Sequence, residues 1–140
     1  MDVRTGASLV ATTGFIADQL IKATLTGTTT ITGVMFRRVA NTGVSFGLFQ
    51  GYNAFFIPVV AAVLVGVWSL RDELGVWPTA LILSGGVSNF VDRVVYGHVV
   101  DYVDIGFWPV FNVADAMIVV GIAALIVGEL RVDGEERNEN

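Results

Sequence analysis

Two stretches without a single charged residue, 54–70 and 75–91, each 17 residues long and separated by the short Arg71-Asp72-Glu73 turn, restrict this chain more than any other feature. Each approaches the roughly 20 residues that a helix needs to cross a hydrocarbon core. Their setting points the same way. Hydrophobic residues make up 54% of the 140 and charged residues only 15%, with a mean hydropathy of +0.68, whereas soluble domains carry about 25% charged residues. A third apolar run, 116–128, is 13 residues long; extended back through Val110 it becomes a full span containing Asp115. A fourth segment, 6–25, contains Asp18, Gln19 and Lys22.

The pattern predicts a membrane all-α bundle of four transmembrane helices near 6–25, 54–70, 75–92 and 109–130, in a single domain covering 1–140. The first segment also has features of a cleaved signal peptide, Arg4 preceding a short apolar core. It lacks a long leucine core and runs directly into Asp18, Gln19 and Lys22, so it is read as a retained helix. The tail, 132–140, crowds Asp133, Glu135, Glu136 and Glu139 against Arg137 and reads as solvated and disordered. There is no cysteine, which excludes disulfides, a thiolate nucleophile and a cysteine metal site.

Four crossings put 27–53 and 94–108 on one side of the membrane. Thr30-Ile31-Thr32, Val34-Met35-Phe36 and 98–103 are rich in β-branched and aromatic residues, which predicts short strands forming a small sheet on that surface. Asp18 and Lys22 end the first helix there, Asn89, Asp92 and Arg93 end the third, and Asn112 and Asp115 begin the fourth. Three helices thus deliver polar groups to one depth. A carboxylate at mid-bilayer costs about 2.5–3.5 kcal/mol, so these groups are expected to face one another and water.

In order along the chain, Asp18-Gln19-x-x-Lys22, Asn41-Thr42-Gly43-Val44-Ser45-Phe46-Gly47, Gly85 to Arg93 continuing into Gly97-His98-Val99-Val100-Asp101-Tyr102, and Phe111-Asn112-Val113-Ala114-Asp115 resemble the lipoprotein signal peptidases, aspartyl proteases of the membrane. The resemblance covers nearly the whole chain. It implies that Asp101 and Asp115 are the catalytic pair and that Asn41, Gly43, Asn89, Arg93 and Asn112 hold substrate or shape the site, with Asp92 and Asp18 in support. It also implies a lipid-modified prolipoprotein as substrate, membrane lipid as surroundings, no cofactor, metal or nucleic acid, and inhibition by globomycin-like cyclic peptides. The expected location is the cell membrane, with the site near the extracytoplasmic face, where the sheet would form a cradle.

Some residues depart from that pattern. Ser88 stands where the family usually has glycine, Ser45 where alanine is common, Asp101 and Asp115 are only 14 positions apart, and Asp104 is an extra carboxylate. Charge does not orient the chain: Lys22, Arg37, Arg38 and Arg93 on the sheet side balance Arg4, Arg71, Arg131 and Arg137 on the other. Two rival readings remain. Asp92, Asp101, Asp104 and Asp115 are oxygen donors suited to Mg²⁺ in a phospholipid head-group transferase, and the same fold without chemistry would serve as a binding or assembly component.

Overall fold

The computed structural model describes residues 2–42 and 53–138, with side chains for 2–42 and 55–130. Gly43, Ser45 and Phe46, all singled out in the sequence, lie outside the described residues. The elements run α1 (Val3–Thr24), β1 (Thr29–Ile31), β2 (Val34–Asn41), α2 (Asn53–Ser69), α3 (Arg71–Leu74), α4 (Val76–Tyr96), β3 (Val99–Asp104) and α5 (Val113–Asn138). The protein is therefore mostly helical, with one antiparallel sheet of order β1-β2-β3.

Among the described residues one helix, α5, has a stretch long and apolar enough to cross a membrane, Val113–Leu130, and it is largely exposed to its surroundings; α2 is apolar but shorter. The other two long helices lose apolarity for an identifiable reason. α1 carries Asp18 and Lys22, and α4 carries Ser88, Asn89, Asp92 and Arg93, all of them buried. Outward-facing residues such as Leu9, Ile16, Val63, Val119 and Ile126 are exposed instead. The molecule is apolar outside and polar within, the arrangement expected where the solvent is lipid.

α4 is the central element, packing against α1, α2 and α5. Glycine permits its closest approach. A Cβ on Gly85 would strike the carbonyl oxygen of Ala114 and approach Ile118 Cγ1 to 2.9 Å, and one on Gly121 of α5 would lie 2.7 Å from Ile82 Cγ1. Small residues let helix backbones meet in this way.

α4 ends in a left-handed Gly97 (φ 74°), whose N–H bonds to the Arg93 carbonyl, a helix stop that glycine adopts without strain. Two residues later β3 begins, tied back to α4 by the Val100 N–H donating to Asp92 Oδ2 at 3.0 Å. On the other side β2 reaches α1 through Arg38 Nη1, which donates to the Lys22 carbonyl at 2.6 Å. The sheet is thus fastened to two helix C-termini, and Asn41 pairs in register with Val99, Val39 with Asp101.

Several elements depart from the expected bounds: α1 begins at Val3 rather than 6 and α4 continues to Tyr96 rather than 92. α5 starts at Val113, four residues beyond 109, because Phe111 pairs with Val103 as a bridge and Asn112 caps the helix. Its other end continues to Asn138 where a disordered tail was expected; Glu135, Glu136 and Arg137 are good helix formers, and extending an existing helix avoids the cost of nucleation.

Gly85→Ala is expected to destabilise the protein by about 1–3 kcal/mol, because a backbone carbonyl blocks the new methyl. Gly66→Ala, whose Cβ meets nothing within 4 Å, should be neutral or gain up to about 1 kcal/mol. Thermal unfolding of both variants in detergent checks this; equal midpoints would contradict the packing described.

Candidate active site

Lys22 is 2% exposed and sits between two carboxylates, Nζ lying 2.6 Å from Asp18 Oδ2 and 2.8 Å from Asp92 Oδ2. Its third donor reaches Asn89 Oδ1 at 3.2 Å. An ammonium only donates and a carboxylate only accepts, so these contacts fix which way the neighbouring amides point. With Asn89 Oδ1 occupied by Lys22, the amide nitrogen Nδ2 points the other way and donates to Asp115 Oδ1 at 2.7 Å.

Asn112 is oriented by the same logic. The Asp115 backbone N–H donates to its Oδ1 at 2.8 Å, and the Asn112 N–H donates to Asp115 Oδ2 at 3.2 Å. This is a reciprocal capping box at the start of α5, with Asn112 as N-cap and Asp115 at the third helical position. Asn112 Nδ2 is left to donate to Asp101 Oδ1 at 2.8 Å and to Asn89 Oδ1 at 3.0 Å. Asn41 Nδ2, from the neighbouring strand, donates to Asp101 Oδ2 at 2.8 Å. One asparagine therefore touches both aspartates, and each carboxylate has both oxygens held.

Asp101 and Asp115 line one cavity of about 320 Å³ together with Asn41, Asn89 and Arg93, and Val60, Trp108 and Ile118 are among its apolar walls. Burial pushes the Asp101 carboxyl up to about 7, and the nearby Asp115 charge adds to the rise, against the opposing hydrogen bonds from Asn41 and Asn112. The folded protein therefore holds the Asp101 proton more tightly than the unfolded chain does. That contribution to stability is complete below the ordinary value of 3.8 and is lost as pH rises through about 7.

Asp18 lies behind the cavity, fully buried. Its Oδ1 accepts from Tyr102 Oη at 2.9 Å and from the Ala114 N–H at 3.2 Å, while Oδ2 accepts from Ser88 Oγ at 2.7 Å and from Lys22. Tyr102 Oη in turn accepts from the Val113 N–H at 3.1 Å. The first three N–H groups of α5 are thus satisfied by Tyr102, Asp18 and Asn112, leaving no orphan donor at a buried helix start. Asp18 also brings negative charge to the positive end of that helix.

Of the site residues expected from the sequence, Asp101, Asp115, Asn41, Asn89 and Arg93 line the cavity and the fully buried Asn112 bonds to both aspartates, whereas Asp18 and Asp92 lie in the buried ion cluster with Lys22. Asp104 is turned away at the sheet rim, where Arg37 Nη2 approaches it to 2.8 Å and keeps its carboxyl below the usual range. Three participants were not expected. Gln19 Nε2 donates to Ser88 Oγ at 2.8 Å and Asp92 Oδ1 at 3.1 Å; Ser88 and Tyr102 hold Asp18. Strand alternation was the available signal for Tyr102, since it sends residues 101 and 102 to opposite faces.

Known proteins share this arrangement of sequence and fold. The family model for signal peptidase (SPase) II matches residues 10–131. The chain belongs to the signal peptidase II family. A lipoprotein signal peptidase of Syntrophomonas wolfei is 42% identical over 76% of this chain and 75% of that protein. One from Lactiplantibacillus plantarum is 33% identical over 87% and 92% of the two chains. Among solved structures, a bacterial membrane enzyme determined by the in meso method at 2.3 Å resolution superposes with a TM-score of 0.83 at 25% identity, covering 97% of this chain and 93% of that one. Membership in the signal peptidase II family makes this chain a membrane protease.

Tyr102→Phe is expected to cost about 1–3 kcal/mol, since it removes a donor to buried Asp18 and leaves the Val113 N–H without its acceptor. Thermal unfolding reads the loss, and hydrogen exchange should quicken at the first turn of α5. Unchanged exchange there would contradict the role given to Tyr102.

Proposed function

We infer that this protein is an aspartic-type endopeptidase that removes the signal peptide of lipid-modified prolipoproteins, with Asp101 and Asp115 as its catalytic pair. The observation that carries the pairing is Asn112, which binds one carboxylate through its side-chain amide and the other through its capping box. Two carboxylates sharing a partly dry site do not both ionise cheaply, so the pair holds one proton and titrates as a unit. The ionised member takes a proton from a water as that water adds to the scissile carbonyl, and the protonated member donates to the carbonyl oxygen. Collapse of the resulting diol breaks the C–N bond, and the leaving amine takes a proton from the pair.

Asn41 and Asn89 hold the outer oxygens of the two carboxylates and so preserve the geometry through the cycle. Arg93, on the cavity wall, is placed to engage the substrate backbone, and Gly43 belongs to the substrate-binding set by the family resemblance alone. The same resemblance supplies the diacylglyceryl group of the substrate and inhibition by globomycin-like cyclic peptides. Hydrolysis by this pair requires no metal. A Mg²⁺-dependent transferase would need Asp92 and Asp104 as ligands, yet Asp92 is engaged by Lys22, Gln19 and the Val100 N–H and Asp104 by Arg37.

The chain 1–140 forms one membrane-embedded peptidase domain in which α1, α2, α4 and α5 each cross the bilayer. The exposed apolar residues on all four helices support this placement, as does the confinement of buried charge to their interior. The sheet and the cavity then lie toward the extracytoplasmic face of the cell membrane.

Asp101→Asn and Asp115→Asn should each lower the rate of cleavage of a diacylglyceryl-modified prolipoprotein by about 10²–10⁴-fold while the fold is retained. The assay uses purified protein in detergent with a chelator present. Full activity in either variant, or loss of wild-type activity on chelation, would overturn the mechanism.

A further inference from the structure

A second cavity among the described residues, about 640 Å³, is larger than the one that holds the aspartates. It is a groove between α1 and α4 at the opposite end of the bundle, with Arg4 and Arg71 among its lining residues. Ala7 and Ala11 on one side and Ala80 and Ser84 on the other leave it open, and Phe15 and Val87 lie at its inner end. Two of its polar side chains turn into the protein: Ser84 Oγ donates to the Ala11 carbonyl at 2.6 Å and Thr79 Oγ1 to the Arg71 carbonyl at 3.5 Å. Ser8 and Thr12 line the α1 side as well, and the remaining wall, with Ala7, Ala11, Phe15, Ala80, Leu83 and Val87, is apolar.

Length and charge together indicate what fits. From Arg4 to Phe15 along α1 is about 16 Å at 1.5 Å per residue, close to the roughly 15 Å thickness of one leaflet's hydrocarbon. At the outer end are two guanidinium groups. Arg4 makes no ion pair among the described residues. Arg71 lies over the Trp68 ring at 4.9 Å and reaches the mostly exposed Asp72 only at 3.6 Å. Two arginines against the one carboxylate of Asp72 leave a net cationic mouth above a mainly apolar channel one leaflet deep, which complements an anionic lipid, as basic pockets between membrane helices do.

We propose that this groove binds one anionic phospholipid of the leaflet opposite the catalytic cavity, an acyl chain lying between α1 and α4 and the phosphate at Arg4 and Arg71. This rests on the four-span placement proposed above. Neither arginine belongs to the catalytic machinery, so the site is separable from cleavage.

The test is native mass spectrometry of the protein released from nanodiscs of mixed phosphatidylcholine and phosphatidylglycerol. The wild type should retain one phosphatidylglycerol in preference to phosphatidylcholine. Arg4→Gln/Arg71→Gln should reduce that preference about tenfold, two guanidinium groups being lost, with the cleavage rate in pure phosphatidylcholine unchanged. Ala80→Leu, which fills the groove and keeps both charges, should reduce retention of either lipid. Equal retention of the two lipids by the wild type, an unchanged preference in the double variant, or a dimer formed through this face with no lipid would overturn the site. Alkaline carbonate extraction separates the two inferences: a chain released from membranes by carbonate overturns the four-span placement, whereas an integral chain with no lipid preference overturns only the site.

Discussion

Lys22 is the residue on which the polar interior depends. Burying an ammonium costs several kcal/mol after relaxation, and the structure offsets this with two carboxylates and an amide oxygen within 3.2 Å. Because it can only donate, it imposes one direction on the hydrogen bonds leading to the site. Asn89 is forced to present its nitrogen to Asp115, and Asn112, bound through its oxygen to the start of α5, presents its nitrogen to Asp101. A neutral residue in place of Lys22 would leave two buried carboxylates facing each other and the orientation of Asn89 unspecified.

The start of α5 converts that order into position. A helix beginning inside a protein brings unsatisfied N–H groups with it, and here they are answered by residues from three other places: Asp18 of α1, Tyr102 of β3 and the N-cap Asn112. Asp115 is itself part of the cap, so the interactions that let the helix begin also set where its carboxylate points. Gly85 contributes from the far side by letting α4 approach the Ala114 backbone. The stability of this helix end and the geometry of the site are therefore one property.

How far the sequence discloses this varies residue by residue. Asp115 is conspicuous because a carboxylate within an apolar run is costly, and Asp18 and Lys22 stand out as charges at the end of an otherwise apolar helix. The sheet followed from β-branched patches. Asp101 gave no such physical signal, being an ordinary strand carboxylate until matched to a family pattern. Asn112 is visible as polar, but the sequence pattern places it inside a longer helix, because the bridge between Phe111 and Val103 is a non-local contact. Ser88, Gln19 and Tyr102 act on partners 69 to 84 residues away, a distance across which periodicity carries no information. The Ser88 departure from the family's usual glycine becomes intelligible only when its hydroxyl is seen to hold Asp18.

Cleavage by the proposed pair needs two carboxylates that differ in protonation while sharing one site, and the surroundings of Asp101, burial and the Asp115 charge against two amide donors, hold it near neutral pH. The most direct measurement is the pH dependence of kcat/KM for a prolipoprotein substrate. A one-proton pair predicts a bell-shaped profile whose alkaline limb falls through about pH 7 as the shared proton is lost. A rate that rises through pH 7 and stays level above it would contradict such a pair.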